Sequence, residues 1–287
     1  MTDTYTSTKN APKAWVGDAV GDLVVRPTMD ESVAIQALGA VSVDEHASGF
    51  RIPVVGTDPV ATWSAEGSEI APSTIGIAED ADRFHRLAAL TVATQEMIDD
   101  SDPAIADAVA AGLGRDIARK LDVAFFGKRP QGATAEDQPR GLGDIAGINT
   151  IAAGNKITNL DPFTDARYAA KVVGADLAAF IASPEDARVI AKVKDRTDSN
   201  RALLQPDPTQ PGATTIGGVP FLATPAVTKG TIWGLPKDRI TIAIRKGAEL
   251  DVDKSAFFTS FRVALRSVLR ATFLYAHPQA IQKITIG

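Results

Sequence analysis

Residues 103–126 constrain this chain more than any other stretch. Ile105, Val109, Leu113, Ile117 and Leu121 recur every four residues, and Ala106, Ala110 and Ala124 fill the same side. That spacing lays one apolar stripe along an α-helix. Ser101 or Asp102 can cap it, and Pro103 suits its first position. Arg115, Arg119 and Lys120 sit toward its later part, where the dipole favours cations, and Gly127 is a good stop. About 24 residues make a rod of about 36 Å, long enough to cross the whole molecule. Gly112 and Gly114 weaken it slightly and mark a bend or a close contact.

The chain before this helix is of another kind. The first thirty residues are irregular, with few apolar residues beyond Trp15 and Leu23-Val24-Val25. Such a segment cannot bury enough surface to fold alone, so it is a disordered tail or an arm ordered on a neighbour. A short amphipathic piece spans residues 30–40, with Asp30 as cap and Val33, Ile35, Leu38 and Val41 as apolar contacts. Residues 48–95 read as extended. Phe50, Ile52 and Val54 alternate, and a second run at 84–93 puts Ala88, Leu90 and Val92 on one face. The pattern predicts a large hairpin of these two runs. The polar segment between them is too long for a tight turn and reads as a functional or partly disordered loop.

After the helix, residues 127–159 read as a Gly-, Pro- and Ala-rich surface loop ending in a short strand. A compact α/β stretch follows: a helix at 162–173, a buried strand at 177–182, and a helix opened by Ser183-Pro184-Glu185-Asp186 that runs to about 193. Residues 195–215 are polar without a period, and 219–223 and 231–234 read as short strands. Ile240, Ile242 and Ile244 alternate, as do Leu250 and Val252. The apolar run at 257–274 carries Arg262, Arg266 and Arg270 at a spacing of four, which fits one face of a strand or of a helix. Its aromatic and β-branched content favours strand. Residues 281–286 close the chain as another strand, and no internal repeat is visible.

Composition narrows the functional classes. A chain of 287 residues can bury a real core as one large domain or two ordinary ones. Mean hydropathy is +0.00, and no apolar run is long enough for a spanning helix. The N-terminus lacks the apolar region of a secretory signal. Cysteine is absent, which excludes disulfide scaffolds, thiolate metal sites and cysteine nucleophiles. The three histidines, His46, His85 and His277, leave little for zinc or a Ser-His-Asp relay. A net charge of −5 and a pI near 5.3 argue against a general nucleic-acid binder. A soluble, intracellular protein with little catalytic equipment is expected.

Each candidate site has a plainer reading. Asp99, Asp100 and Asp102 have the chemistry for a divalent cation, but acids before a capped helix also suit its dipole. His277, beside Pro278, has no second ligand nearby and reads as a packing or surface residue. His85 reads as a strand-face residue. There is no GxSxG, GxxxxGK[ST] or GxGxxG, and Gly141-Leu142-Gly143 lacks the strand–turn–helix context of a phosphate cradle. The Arg262, Arg266 and Arg270 ladder lacks basic or aromatic support for nucleic acid, so inter-subunit ion pairs are expected there. Trp63 is either an interface anchor or a hairpin packing residue. No catalytic residue, metal ligand or cofactor is expected.

The order of the pieces says more than any site. Ala61-Thr62-Trp63-Ser64-Ala65-Glu66, residues 84–90 and Gln95-Glu96-Met97-Ile98-Asp99-Asp100-Ser101 come first. Phe125-Phe126-Gly127-Lys128, Pro139-Arg140-Gly141-Leu142 and Ile181-Ala182-Ser183-Pro184 with Lys194-Asp195 follow. Gly217-Gly218-Val219-Pro220-Phe221 and His277-Pro278-Gln279-Ala280-Ile281 end the series. No single motif is specific. Together, over nearly the whole chain, they resemble the major capsid proteins of tailed bacteriophages, the phage capsid family with the Hong Kong 97-like fold.

The resemblance implies an α+β fold. Residues 1–45 would be an N-terminal arm and short helix, and 46–95 an extended loop reaching over a neighbour. Residues 96–158 would be the first part of a peripheral domain with its spine helix at 103–126. Residues 159–236 would be an axial domain whose loop at about 200–215 faces a capsomer axis. Residues 237–287 would be the return strands of the peripheral domain, with 251–257 near a threefold contact. The implied function is structural and non-enzymatic: a subunit of the pentamers and hexamers of an icosahedral head enclosing double-stranded DNA. It would reside in the virion after assembly in the host cytoplasm. Implied partners are further copies of itself, a separate scaffolding protein, a portal, in some cases a decoration protein, and DNA through weak nonspecific contact, with no cofactor and no membrane. Inter-subunit contacts are expected at Trp15, Trp63, Glu66, Glu69, Arg83, Arg86, Asp251, Asp253, Lys254, Arg262, Arg266 and Arg270.

Some relatives crosslink their shells from a lysine on the extended loop to an asparagine, with a glutamate assisting. Here no lysine lies between Lys13 and Lys120, and residues 257–274 hold no Glu or Asn, so no such isopeptide bond is expected. Some relatives carry a cleaved scaffolding region ahead of the arm. With Met1 where it stands, a separate scaffold or direct assembly is expected instead. Physics agrees with a shell, because a long hairpin and a weakly apolar arm need partners, and repetition of modest contacts stabilises an assembly. An acidic container also avoids gripping packed DNA. An encapsulin-like nanocompartment fits less well, because that family begins with a helix lining the cargo site. A mixed α/β hydrolase is the alternative of another class, and the empty catalytic inventory argues against it.

Overall fold

The computed structural model of the chain describes residues 31–44, 46–57, 61–64, 66–67, 69, 72, 76–96, 104–132, 134, 137–196, 200–204 and 214–287. The expectations on Trp15, Asp30, Asp99, Asp100, Ser101, Asp102 and Pro103, and on most of the loop at 200–215, lie outside them. Chain order begins α1 (Val33–Leu38), β1 (Val41–Ser42), β2 (Gly49–Thr57), β3 (Gly76–Arg83), β4 (His85–Thr94) and α2 (Ala104–Phe126). It continues β5 (Asn149–Ala152), α3 (Asp161–Val172), β6 (Ala179–Ala182), α4 (Pro184–Ala191), β7 (Thr214–Ile216), β8 (Val219–Ala223) and β9 (Thr231–Leu235). It ends β10 (Ile240–Phe257), β11 (Arg262–Tyr275) and β12 (Gln282–Thr285).

α2 is the long helix that the four-residue period predicts. Ala110, Ile117, Leu121 and Phe125 form its buried stripe. Phe125 meets Phe126 and Phe273 edge to face at 5.0 and 5.1 Å, so the C-terminal half carries most of the packing. No basic residue stands in the last turn, so Arg115, Arg119 and Lys120 lie too early to meet the dipole as expected. Gly127 ends the helix by donating to the Val123 carbonyl at 3.0 Å, and a Cβ there would stand 2.5 Å from that oxygen. Gly112 has no such reason, since its added Cβ would meet nothing nearer than 3.8 Å.

α1 is shorter than the sequence suggests. Ser32 caps it, accepting from the Ile35 amide at 3.3 Å. Ile35 and Leu38 are buried as expected, but Val41 is 48% exposed because it belongs to β1, at the sheet edge.

The hairpin differs most from the sequence reading. β2 pairs with β3 from Gly49↔Arg83 to Thr57↔Gly76, with a register shift between Val55 and Thr57, and not with the run at 84–93. That run is β4, which pairs with β11, Leu87 opposite Leu269. The reason is chemical. Leu87 and Ala89 of β4 pack on the core, while the acidic β3 buries no apolar side chain and gives no apolar alternation to read. Ala88, Leu90 and Val92 do share a face, but it is exposed.

Two further sheets carry the body. One runs β1-β10-β11-β4, with bulges in β10 after Ile244, after Lys246 and after Asp253. The run at 257–274 is therefore strand, as its β-branched content suggests, although Phe257 ends β10 instead of starting β11. The other sheet runs β5-β12-β9-β6-β8-β7. β6 is buried at all four positions. Ala179 and Ile181 face a core shared with α1, α2 and the four-stranded sheet, while Phe180 and Ala182 face a core under α3 and α4. The six-stranded sheet is thus a wall between two cores, and a strand buried on both faces reads as a continuous apolar run. Ser183 caps α4 by accepting from Asp186 N at 3.1 Å, as the sequence predicts.

Candidate assembly surfaces

The hairpin of β2 and β3 is fixed to the body at its root. Asp80 and Asp82 lie opposite Ile52 and Phe50, so the two carboxylates share the apolar face of the ribbon. Asp80 accepts from Arg140 Nη2 at 2.6 Å through Oδ1 and from the Tyr275 amide at 2.8 Å through Oδ2. The Tyr275 hydroxyl donates to the Arg140 carbonyl at 2.9 Å and closes a ring of three chain segments. Burial pushes the Tyr275 hydroxyl well above its ordinary pKa, which keeps it a donor.

Asp82 Oδ1 accepts from Arg83 N at 2.8 Å and lies 3.4 Å from His85 Nε2. Its Oδ2 is buried without a partner. Burial raises the Asp82 carboxyl, but the hydrogen bond and charge of His85, the Arg83 amide and the Arg140 charge together hold it below the usual value. His85 is a strand residue as expected, but a buried one. Sequence reasoning missed this root. The available signal was the pair of acids alternating at 80 and 82, where an exposed ribbon has no need of them.

Arg140 is held by the turn around Gly141. A Cβ on Gly141 would stand 2.4 Å from the carbonyls of both Ala124 and Gly127, and one on Gly143 would stand 2.9 Å from Gly127 O. The Pro139-Arg140-Gly141-Leu142 segment thus lies against the end of α2, where Gly143 N donates to Gly127 O at 2.9 Å. A second missed tie fixes α1. Asp122, on α2, accepts from Ser32 Oγ at 2.7 Å, Val33 N at 2.9 Å and Ala34 N at 3.1 Å. Burial outweighs these bonds and raises the Asp122 carboxyl above its usual value.

The expected contact residues fall in three places. Trp63 at the hairpin tip is fully exposed, at 105% of its reference area, so it does not pack on the hairpin. Glu66 and Glu69 beside it are exposed too. Arg83 and Arg86 flank the root, both exposed. The remainder lie on the long β10–β11 ribbon. Arg266 donates to Asp251 Oδ2 from Nε and Nη2 at 3.2 and 2.8 Å, so the ion pair expected between subunits is made here within one chain. Arg262 donates to Ser260 Oγ at 3.0 Å and lies over the Phe257 ring at 5.3 Å. Asp253 accepts from Ser255 N and Oγ at 2.7 and 2.6 Å, and these two bonds hold its carboxyl below the usual range. Arg270 is half-buried, in register with Arg86 on one side and Lys246 on the other. Lys254 lies in β10, and its side chain is outside the description. At the turn of the ribbon, Phe261 has a φ of 53° and is 66% exposed.

His46 is exposed and His277 half-buried, and among the described residues neither belongs to a group of three side chains that could hold a metal ion. Among the described residues, no helix is long and apolar enough to cross a membrane.

Comparison with known proteins gives this arrangement a family. A sequence model described as the phage capsid family matches residues 21–286. No curated protein matches the chain. Among solved structures, a chain from Microbacterium phage Oxtober96 is similar at a TM-score of 0.70 and 20% identity, over 89% of this chain and 91% of that one. The capsid of an empty GTA particle, computed with C5 symmetry, is similar at 0.68 and 22%, over 88% and 89%. A chain from Mycobacterium phage Bobi is similar at 0.63 and 19%, over 88% and 90%. The fold is the α+β, Hong Kong 97-like fold, and the chain belongs to the phage capsid family as a structural subunit of a phage head shell.

Proposed function

We propose that the chain assembles into the pentamers and hexamers of an icosahedral head enclosing double-stranded DNA. The observation that carries this reading is the β2–β3 hairpin. None of its described side chains is buried, yet its root is locked in direction by Asp80, Arg140 and Tyr275. A two-stranded ribbon is marginal by itself, so one that is aimed and left bare calls for a neighbour. In the proposed layout, residues before about 45 form the N-terminal arm, and the hairpin is the extended loop. α2 is the spine of the peripheral domain, completed by the long ribbon of β10 and β11. Residues 159–236 form the axial domain, and 251–257 approach a threefold contact.

The role needs no catalytic step and no cofactor. Its further partners would be a scaffolding protein, a portal, in some cases a decoration protein, and DNA held weakly. Assembly takes place in the host cytoplasm, and the product is the virion. Negative-stain microscopy of the purified chain, alone and with a scaffold encoded beside its gene, tests the reading. Shells, tubes or rings of hexamers are expected. A uniform field of small particles in both preparations would overturn it. Boiled particles should run as monomers on a denaturing gel, because the extended loop has no lysine for an isopeptide bond.

A further inference from the structure

A cavity of about 290 Å³ opens where β4 begins. Its apolar wall comes from Leu87 on β4, Leu121 and Ala124 on α2, and Ala271 on β11, with Val123 at the rim, 53% exposed. Arg86 and Lys120 stand exposed at the mouth, and neither makes an ion pair within the chain among the described residues. The other titratable linings are His85, turned toward Asp82, and Asp137, whose carboxylate accepts from Thr134 N and Oγ at 2.9 and 2.8 Å. The mouth is therefore net positive, and the wall is apolar. Pockets for small molecules span roughly 300–1,000 Å³. This one is at the small end, the size for one large side chain.

The chain also exposes a side chain of that kind. Trp63 is wholly exposed, and Glu66 and Glu69 follow within six residues. No lysine or arginine occurs between Arg51 and Arg83, so the whole tip is acidic. An exposed indole with two exposed glutamates within six residues has the composition of an interface anchor. It cannot fill the cavity of its own chain. The cavity is at the hairpin root, and β2 is nine residues long, which separates root from tip by about 30 Å.

We propose that Trp63 of one subunit seats in the cavity at the start of β4 in a neighbouring copy, with Glu66 and Glu69 against that copy's Arg86 and Lys120. This rests on the shell reading and names the surface that the extended loop grips. The indole supplies buried apolar area at low cost in rotamer entropy, and the flanking charges fix which way the loop lies. Edge strand β4, which among the described residues pairs with β11 alone, thereby gains a cover on its open side.

The absence of cysteine makes the test direct. Trp63→Cys combined with Val123→Cys, assembled and then oxidised, should give a ladder of covalent oligomers on a non-reducing gel, and neither single variant should. In a Trp15→Phe background, Trp63 emission should move to shorter wavelength on assembly, while the buried Trp233 contributes equally before and after. Arg86→Glu should lower assembly yield at least about tenfold, by placing like charges together, and Glu66→Lys in the same chain should restore it. Shells that form without a ladder and without an emission shift overturn the docking but leave the shell reading standing. A ladder from Trp63→Cys with Leu90→Cys, and none with Val123→Cys, would place the loop on the exposed sheet face and also overturn it. If Arg86→Glu shells form normally and lose only DNA retention, those cations face nucleic acid and the proposal fails. A wild-type chain that never forms shells removes the shell reading itself.

Discussion

The six-stranded sheet, which mixes parallel and antiparallel pairs, and the antiparallel β2–β3 hairpin are both hydrogen-bonded ladders, yet only one stabilises itself. β6 is buried at every position, with Ile181 in one core and Phe180 in the other. Phe163 and Phe180 meet edge to face at 5.1 Å, and fully burying each is worth about 1.5–3 kcal/mol. The hairpin has a ladder of its own, shifted once near Val55, and no buried described side chain. Backbone hydrogen bonds give both their geometry, but burial gives only one its stability. What the hairpin has in its place is a charged root that sets where it points. The body folds for itself, and in the proposed shell another copy would complete the hairpin.

The strongest way to break this contrast is to damage the junction on which both regions depend. Gly141→Val would drive a Cβ to 2.4 Å from two backbone carbonyls that cannot swing aside. A loss of about 3 kcal/mol or more is expected, read as a lower urea midpoint shared by body and hairpin probes. An unchanged midpoint would mean that the Pro139–Leu142 turn does not need its glycine. Asp122→Ala comes next, at about 2–3 kcal/mol, because it strands the Val33 and Ala34 amides. Asn at the same position should cost less. The raised Asp122 carboxyl binds its proton more tightly folded than unfolded. Its contribution therefore favours folding below the usual carboxylate range and weakens as pH rises through the raised value. Asp122→Asn should flatten that slope, and an unaltered pH profile would contradict the assignment.

Asp80→Ala separates the two regions. It opens the ring with Arg140 and Tyr275 but removes no side chain from either core. Amide exchange in β2 and β3 should speed up by about ten- to a hundredfold, while β6 and β9 keep their protection. Equal loss in both sheets would refute the separation. Asp82 gives the same contrast through pH. Its depressed carboxyl contributes stability that is present above the unfolded value near 3.8 and is lost as pH falls through the depressed one. Hairpin protection should therefore fall as the pH drops below about 3.8 and through the depressed folded value. Asp82→Asn should remove that dependence.

How far these features were legible follows the same division. α2 was readable because its stripe repeats every four residues, and Ser183 was readable as a cap because the amide it accepts from lies three residues away. β3 was not, since Gly76–Arg83 has acids where an amphipathic strand would have apolar residues. The root ring joins Asp80, Arg140 and Tyr275, and the α1 tie joins Ser32 to Asp122 across 90 positions. Local propensity carries no information about pairs so far apart. Trp63 stood evenly between packing and anchoring, because a lone aromatic beside a turn looks the same in sequence whichever partner it has. Its full exposure removes the first alternative only.

The smallest expected effect is the most discriminating for the long ribbon. Asp251 and Arg266 face each other in register on β10 and β11, 2.8 Å apart, with side chains 54% and 60% exposed. Such a pair pays for side-chain ordering and is screened, so a double-mutant cycle on the free subunit should give about 0.5 kcal/mol or less. The same cycle on assembled particles decides where the ribbon belongs. If the coupling stays small, the pair merely dresses an exposed strand, and the ribbon resembles the six-stranded sheet in depending on its own chain. If it grows several-fold, a neighbour has excluded water from the pair, because the same two charges interact more strongly at lower local dielectric. The ribbon would then join the hairpin among the parts that assembly completes, even though its ion pair is already made within one chain.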